Sequence, residues 1–253
     1  MQNDPMLDWQ SLIAKLKTAT RIVALTGAGV SAESGIPTFR DAQTGLWAQY
    51  DPLELATPQA FARQPQLVWD WYEWRRGLLA HAQPNAGHFA LAELAKRFPH
   101  FVVVTQNIDG LHAQAGSAEV IELHGNLRRA KCSREEIIVA REDARATPTS
   151  LLACPHCGAY LRPDVVWFGE ALPRAALERA VRAAMQCHVF FSIGTSGLVE
   201  PAASLPRFAR EAGAFLVELN PEPTPLSANA DLVVRAKSGE ALPRLLRQLD
   251  SPG

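Results

Sequence analysis

Six short apolar runs, rich in β-branched residues, place the strongest constraint on what this chain can fold into. They occupy residues 21–27, 101–107, 120–125, 188–195, 215–220 and 231–236. Patterns typical of helices lie between several runs, such as SLIAKLKTA before the first and RAALERAVRAAMQC before the fourth. Near-continuous apolar strands that alternate with helices favour a parallel sheet covered on both faces. We therefore predict an α/β fold built on a Rossmann-like, doubly wound parallel sheet.

Two long stretches interrupt this alternation and predict a second, smaller lobe. Residues 41–95 are rich in Trp, Pro and Gln, and residues 126–165 hold three of the four cysteines. No linker-like stretch separates the two parts. We expect a single domain over residues 1–253, with a large lobe from about 1–40, 96–125 and 166–253. The smaller lobe then consists of two insertions, one helical and one containing cysteines.

The composition excludes several classes of partner. Apolar residues make up 47% of the chain, charged residues 20%, and the formal net charge is -1. These values argue against disorder and against a global attraction to nucleic acid or to a membrane surface. The first ten residues, MQNDPMLDWQ, are polar and acidic where a signal peptide would be basic and then apolar. We expect a cytoplasmic protein that recognises its partner through a local site.

A glycine-rich turn, GAGVSA at residues 27–32, follows the first predicted strand. It has the G-x-G-x-x-A form of the dinucleotide fingerprint, whose small residues let backbone N–H groups approach a pyrophosphate. A hydride-transferring dehydrogenase would continue through a helix to an acidic residue roughly twenty positions on. Here SGIPTFRD follows, and Pro37 is incompatible with a regular helix. The pattern predicts nucleotide binding and argues against a dehydrogenase.

Six motifs, in order along the chain, resemble those of the sirtuins, a family of NAD-dependent protein lysine deacylases. They are GAGVSAESGIPTFRD (27–41), TQNIDGLH (105–112), ELHGN (122–126), RPDVVWFGE (162–170), GTSGLVEP (194–201) and ELNPE (218–222). The resemblance spans nearly the whole chain. It implies an enzyme that consumes NAD, frees acylated lysine side chains, and releases nicotinamide and an O-acyl-ADP-ribose.

The same resemblance assigns an NAD site to the ends of the predicted strands. The phosphates are expected at the glycine-rich turn, the carboxamide at the TQNID motif, and the adenosine near the two C-terminal strands. The residues so assigned are Gly27, Ala28, Gly29, Phe39, Arg40, Trp47, Gln106, Asn107, Ile108, Asp109, Gly194, Thr195, Ser196, Asn220, Pro221, Glu222 and Ser238.

His124 and Asn107 are the expected catalytic residues. His124 follows a predicted strand and precedes a glycine, a position that exposes its imidazole. An ordinary histidine pKa near ~6.5 leaves the ring neutral at cytosolic pH and able to accept a proton. By resemblance, the acyl-lysine oxygen attacks the anomeric carbon of the nicotinamide ribose, and His124 accepts a proton from a ribose hydroxyl. The other histidines are expected to be structural.

The substrate is expected as an extended peptide from an acyl-lysine-bearing protein. Residues 165–170, VVWFGE, would present an edge to it by β-augmentation, opposite residues 197–201, GLVEP. The contacting residues there are Val166, Trp167, Phe168 and Gly169. The alternative is that Trp167 and Phe168 pack in a buried core strand.

The acyl group is expected to be acidic because of a pair in the run WDWYEWRR. The apolar spacing predicts a helix over residues 66–80, which places Tyr72 and Arg75 three apart on one face. An arginine beside a phenol can bind a carboxylate through charge-assisted hydrogen bonds. The pair resembles that of class III sirtuins, which prefer succinyl, malonyl and glutaryl lysine, and Ala56 matches the small residue that in that class accommodates a longer chain. Acetyl removal is expected as well. An ordinary amphipathic helix edge is the alternative.

Three cysteines form an incomplete metal-binding set. Cys154 and Cys157 make an intact C-x-x-C pair, whereas Cys132 is followed three positions later by Glu135. Tetrahedral zinc requires four ligands that converge. Three outcomes stay open: a site completed by Glu135, His156 or water, a weak site that loses its metal, or a lobe that folds without one. Any zinc would be structural, because the family's chemistry needs no metal.

Two other functions remain compatible with the sequence. Protein mono-ADP-ribosylation would use the same NAD site, and a non-catalytic module would bind NAD or ADP-ribose without turnover. The intact His124 and TQNID motif argue against the non-catalytic module. The sequence predicts no oligomeric state.

Overall fold

The computed structural model describes residues 5–36 and 50–251. Three residues predicted to bind NAD, Phe39, Arg40 and Trp47, lie outside the described residues. The strands are β1 (Arg21–Thr26), β2 (His100–Thr105), β3 (Val120–Glu122), β4 (Gly125–Cys132), β5 (Ile138–Val139), β6 (Arg145–Ala146), β7 (Leu152–Ala153), β8 (Leu161–Val165), β9 (Val189–Ile193), β10 (Phe215–Leu219) and β11 (Leu232–Val234). The α-helices are α1 (Pro5–Thr18), α2 (Ala28–Ala32), α3 (Pro52–Leu55), α4 (Pro58–Arg63), α5 (Pro65–His81), α6 (Ala86–Ala95), α7 (Leu111–Gln114), α8 (Arg174–Gln186), α9 (Leu205–Glu211) and α10 (Ser238–Asp250).

The central sheet has six parallel strands in the order β11-β10-β9-β1-β2-β3. Each strand comes from one of the six apolar runs, so the predicted parallel sheet is confirmed. Residues 22–26 of β1 and all of β9 are buried, as expected for strands covered on both faces. The chain leaves β1 toward β2 on one side and later returns to β9 on the other. Ligands bind beyond the carboxyl ends of the strands at such a reversal.

Helices cover both faces of this sheet. On one face, α1, α6 and α10 contribute Leu12, Leu91 and Leu245 to a continuous buried core. On the other face, α8 and α9 contribute Ala184 and Ala209. The doubly wound architecture predicted from the sequence is therefore confirmed.

Helix α6 lies with the central sheet, although the sequence analysis assigned all of residues 41–95 to the smaller lobe. Its Ala90, Leu91 and Leu94 pack in the same core as α1 and α10. The apolar face of α6 is as well suited to one sheet as to another, and only the tertiary packing decides between them. The division of the remaining chain into two lobes stays a prediction.

Helix α5 packs between two smaller cores. Its Trp71 and Tyr72 are buried with Val165 and Trp167, beside the end of β8. Its Trp69 is buried in a separate cluster with Cys132. Around these cores β4 pairs antiparallel with β5 and β8, and β6 pairs with β7. The helix predicted over residues 66–80 is confirmed, and it contributes side chains to both cores.

No helix in the described part of the chain combines the length and apolar character that a membrane crossing requires.

Candidate functional site

Glycines bring the carboxyl ends of β1, β9 and β10 into backbone contact. The Gly29 amide donates to the Gly194 carbonyl at 2.8 Å, and the Gly194 amide donates to the Leu219 carbonyl at 3.0 Å. A Cβ on Gly29 would lie 2.8 Å from the Gly194 Cα, and one on Gly27 would lie 2.8 Å from the Thr195 Cβ. Gly194 also has a φ of +58°, which favours glycine. The predicted glycine-rich turn thus sits where the strand order reverses, with Ala28 and Gly29 exposed.

A cavity of about 250 Å³ opens beside this turn. Five of the residues predicted to bind NAD line it, namely Gly29, Gly194, Asn220, Pro221 and Ser238. Glu33 also lines it and accepts hydrogen bonds at 3.0 Å from both the Ser238 hydroxyl and the Gly239 amide. Glu33 lies within the motif GAGVSAESGIPTFRD but was not predicted from the sequence as a site residue. Ser196 and Glu222 are exposed and are not among the residues that line this cavity.

The loop after β2 is fastened to the glycine-rich turn through side-chain hydrogen bonds. The Asn107 amide donates to the Gly27 carbonyl and to the Ser31 hydroxyl, both at 3.0 Å. The Ser31 hydroxyl in turn donates to the Asp109 carboxylate at 2.7 Å. Gln106 donates to the Thr195 hydroxyl at 2.9 Å. The structure therefore brings Gln106, Asn107 and Asp109 together, and Ser31, which sequence reasoning missed, connects two of them.

A second buried layer of polar groups supports this loop. His112 Nε2 lies 2.9 Å from the Thr26 hydroxyl, which donates to the Thr105 hydroxyl at 2.9 Å. Burial lowers the pKa of His112 to about 3, so its ring is neutral at physiological pH. The His88 ring, also buried, lies 4.8 Å from it between centroids. Their burial and internal hydrogen bonds suit the structural role expected for these histidines.

His124 is held in one tautomer. Its Nδ1 lies 2.9 Å from the Gln106 carbonyl oxygen. A carbonyl can only accept, so Nδ1 carries the hydrogen and Nε2 keeps its lone pair. Burial lowers the pKa of His124, against a smaller opposing effect of the hydrogen bond to Gln106. The ring is thus a neutral base that offers Nε2.

The segment after β8 runs beside His124 and Ala56. The Val166 amide donates to the His124 carbonyl at 3.0 Å, and the Phe168 amide donates to the Ala56 carbonyl at 2.9 Å. The Trp167 amide donates to Glu170 at 2.8 Å. These three amides are therefore already engaged within the chain and are not available to a peptide strand that paired here. Phe168 is exposed and Gly169 has a φ of +87°.

Tyr72 contacts Trp167 of this segment and lies next to Arg75. Tyr72 is 2% exposed, and its hydroxyl accepts a hydrogen bond from Trp167 Nε1 at 3.0 Å. Burial raises the pKa of Tyr72 to about 12, so the phenol keeps its hydrogen at neutral pH. The Arg75 Cζ lies 5.7 Å from the Tyr72 ring centroid. Burial lowers the pKa of Arg75 and Tyr72 opposes that shift, so an incoming anion would stabilise the guanidinium cation.

Three of the predicted substrate residues share one apolar core. Ala56, Tyr72 and Trp167 belong to it, and Ile108 of the predicted carboxamide pocket packs against it. Trp167 is buried, as the core-strand alternative proposed, whereas Phe168 is exposed. The acyl pocket predicted from the sequence and the predicted NAD pocket are thus neighbours.

The three cysteines of the predicted metal set converge with Glu135. The donor atoms of Cys132, Glu135, Cys154 and Cys157 all lie within 4.8 Å of one another. The Cys132 and Cys157 sulfurs are 3.4 Å apart, and Cys154 Sγ is 3.8 Å from Glu135 Oε2. Ligands of a tetrahedral zinc ion at about 2.3 Å lie roughly 3.8 Å apart, so the set fits that ion. His156 is not among these donors.

The comparisons with known proteins agree with the geometry. Residues 27–201 match the model of the Sir2 family. The chain belongs to the Sir2 family. It is 51% identical over 227 residues to an NAD-dependent protein deacylase of Aquifex aeolicus (strain VF5), covering 88% of this chain and 93% of the relative.

Solved Sir2 structures share the fold over almost the full length. A crystal structure of a Sir2 homolog–NAD complex is 47% identical, with a TM-score of 0.88, and the match covers 95% of this chain and 93% of that one. A structure of Sir2 bound to acetylated peptide is 32% identical, with a TM-score of 0.84, covering 94% and 97%. Both sequence identities are high enough to indicate a shared family and not a shared fold alone.

Substitution of Glu135 tests the metal set of this Sir2 chain. Glu135→Gln should weaken zinc retention on the order of 10- to 100-fold, the loss that even outer-shell partners of a metal ligand can cause. Glu135→Cys should strengthen it, because a fourth thiolate replaces a harder oxygen ligand. Zinc per chain, measured by mass spectrometry after dialysis against graded chelator, gives both values. Glu136→Gln is the matched control, since the neighbouring glutamate pairs with Lys131 and lies outside the set. Equal retention by Glu135→Gln and wild type would remove Glu135 from the site.

Proposed function

We propose that this chain is an NAD-dependent protein-lysine deacylase that prefers succinyl and malonyl lysine and also removes acetyl groups. The observation that carries the proposal is the position of His124. Its Nδ1 is bound to the carbonyl of Gln106, in the predicted NAD pocket, and its own carbonyl is bound to Val166, in the predicted peptide edge. A base between a dinucleotide and an acyl-lysine is what the reaction requires.

Different residues of the chain would bind NAD, accept the proton and contact the peptide. Bound NAD supplies an anomeric carbon from which nicotinamide departs and to which the acyl oxygen becomes attached. The exposed backbone at Ala28 and Gly29 would hold the phosphates, and Asn107 and Asp109 the carboxamide side. His124 would accept a ribose hydroxyl proton at Nε2. The exposed Phe168 would contact the peptide. The solved structure of Sir2 bound to acetylated peptide supports peptide binding by this fold.

The acidic acyl preference rests on the Tyr72 and Arg75 pair. The buried, neutral phenol of Tyr72 and the partly buried side chain of Arg75 lie on one turn of α5, and Tyr72 shares its core with the small side chain of Ala56. A carboxylate placed between them would receive one hydrogen bond from the hydroxyl and up to two from the guanidinium. An acetyl group offers no such acceptor, so the pair would discriminate in favour of the diacid.

Adenylate-labelled NAD incubated with a succinyl-lysine peptide tests the reaction type. We expect free lysine peptide and labelled O-acyl-ADP-ribose in equal amounts, because each turnover moves one acyl group onto one ADP-ribose. Label attached to protein with the acyl group intact would instead support mono-ADP-ribosylation. Binding of NAD without turnover of any acyl-lysine peptide would indicate a non-catalytic module.

The acidic limb of the pH–rate profile tests His124. Its folded-state pKa is lowered from 6.5, so the base stays neutral and active as pH falls to 6.5 and is lost only below that value. The kcat/KM for deacylation should therefore be flat near neutral pH, with an acidic midpoint below 6.5. A midpoint at or above that value, or an unchanged acidic limb in His124→Ala, would contradict the assignment.

Arg75→Met tests the carboxylate clamp on matched succinyl- and acetyl-lysine peptides. Loss of a charged contact in a buried pocket should cost about 2 to 4 kcal/mol on the succinyl substrate, or roughly 30- to 1000-fold in kcat/KM, with a much smaller change on acetyl. Arg76→Met is the matched control on the same helix, since Arg76 donates to the Leu127 carbonyl at 2.6 Å instead. The control variant should change kcat/KM on both substrates by the same factor. An equal change on both substrates in Arg75→Met would contradict the clamp.

A further inference from the structure

The hydrogen bond between Trp167 and Tyr72 has only one possible direction. The indole Nε1 lies 3.0 Å from the phenolic oxygen, and both side chains are 2% exposed. An indole N–H donates and cannot accept, so the Tyr72 oxygen is the acceptor. The hydrogen of the phenol must therefore point elsewhere. Among the described residues, the Tyr72 hydroxyl makes this one hydrogen bond, and it is the acceptor in it.

Trp167 is itself held from several sides. The Arg162 Cζ lies 3.4 Å from its ring centroid, and the Phe61 ring centroid is 5.4 Å away. Its amide donates to Glu170 Oε2 at 2.8 Å. Arg162 binds both oxygens of the same carboxylate, at 2.5 and 2.8 Å. The indole is thus fixed between a bidentate ion pair and an aromatic ring, and the direction of its N–H is fixed with it.

Packing an ion pair against the Trp167 indole carries a desolvation cost that apolar packing would not. Arg162 is 4% exposed, and a buried ion pair often contributes little or nothing to stability compared with apolar packing of the same volume. What it provides here is a defined orientation, because its guanidinium plane, its carboxylate and the Trp167 amide form one connected set. Orientation matters most where the held group faces a substrate.

We propose that Trp167 is a positioning residue for acyl-group selectivity. Its indole N–H occupies the acceptor side of the Tyr72 hydroxyl, so that the hydroxyl hydrogen is left to donate to the terminal carboxylate of a succinyl or malonyl lysine, beside Arg75. Arg162 and Glu170 fix the indole in that orientation. The inference rests on the proposed deacylase function and deepens it, since it names what sets the direction of one of the two carboxylate donors.

A double-mutant cycle on Trp167→Phe and Tyr72→Phe tests this proposal. The readout is the ratio of kcat/KM on succinyl-lysine peptide to that on the matched acetyl-lysine peptide, in which losses common to both substrates cancel. Tyr72→Phe should lower the ratio by about tenfold or more, the effect of one hydrogen bond to a charged group. Trp167→Phe should lower it about threefold to tenfold. In the double variant, Trp167→Phe should add no further loss, because no hydroxyl remains to be directed.

Glu170→Gln keeps the cycle informative if Trp167→Phe does not fold. It keeps the indole side chain but weakens the pair with Arg162 that fixes its orientation. It should therefore lower the ratio with Tyr72 present and leave it unchanged in the Tyr72→Phe background. Additive losses in either cycle would overturn the positioning role. Absence of NAD-dependent succinyl removal by the wild-type protein, measured first, would instead overturn the proposed function, and the positioning role with it.

Discussion

The contact between Gly29 and Gly194 is the constraint on which the rest of the site depends. It joins the ends of two neighbouring parallel strands by a direct backbone hydrogen bond at 2.8 Å, and no side chain fits between them. Because the turn is this tight, the loop after β2 can reach across with Asn107 and anchor on the Gly27 carbonyl. The same loop carries the Gln106 carbonyl that fixes His124. A displacement of the glycine turn would therefore also displace His124, the predicted carboxamide pocket and the lining of the cavity beside Ser238.

The two groups proposed to move or donate protons are neutral for the same physical reason. Burial disfavours the charged form of each, which lowers the pKa of the His124 imidazole and raises that of the Tyr72 phenol. In both cases one hydrogen bond fixes the direction in which the group can act. For His124 the partner is a carbonyl that accepts a hydrogen bond from Nδ1. For Tyr72 it is an indole N–H that donates to the phenolic oxygen. Each group is left with one function toward a ligand.

The sequence was most informative where local pattern and local structure coincide. The six apolar runs predicted six strands, and the spacing in WDWYEWRR predicted α5. Tertiary convergence was harder to predict. The apolar face of α6 could not reveal that it covers the central sheet, and Glu33 and Ser31 gained their significance from partners 78 to 206 positions away. The choice between Glu135 and His156 beside the cysteines likewise depended on how two hairpins meet, which spacing alone does not encode.

Helix α5 contributes side chains to two separate buried cores. Trp69, with the Arg76 and Arg141 guanidinium groups over its ring, packs in the core that contains the cysteines. Trp71 and Tyr72, two and three positions on, pack in the core that contains Ala56 and Trp167. Because both cores pack closely against the same helix, a displacement of α5 that alters one core also alters the other. A change at the cysteine cluster that shifted α5 would therefore also move Tyr72 and Arg75, the two residues proposed to bind the acyl carboxylate.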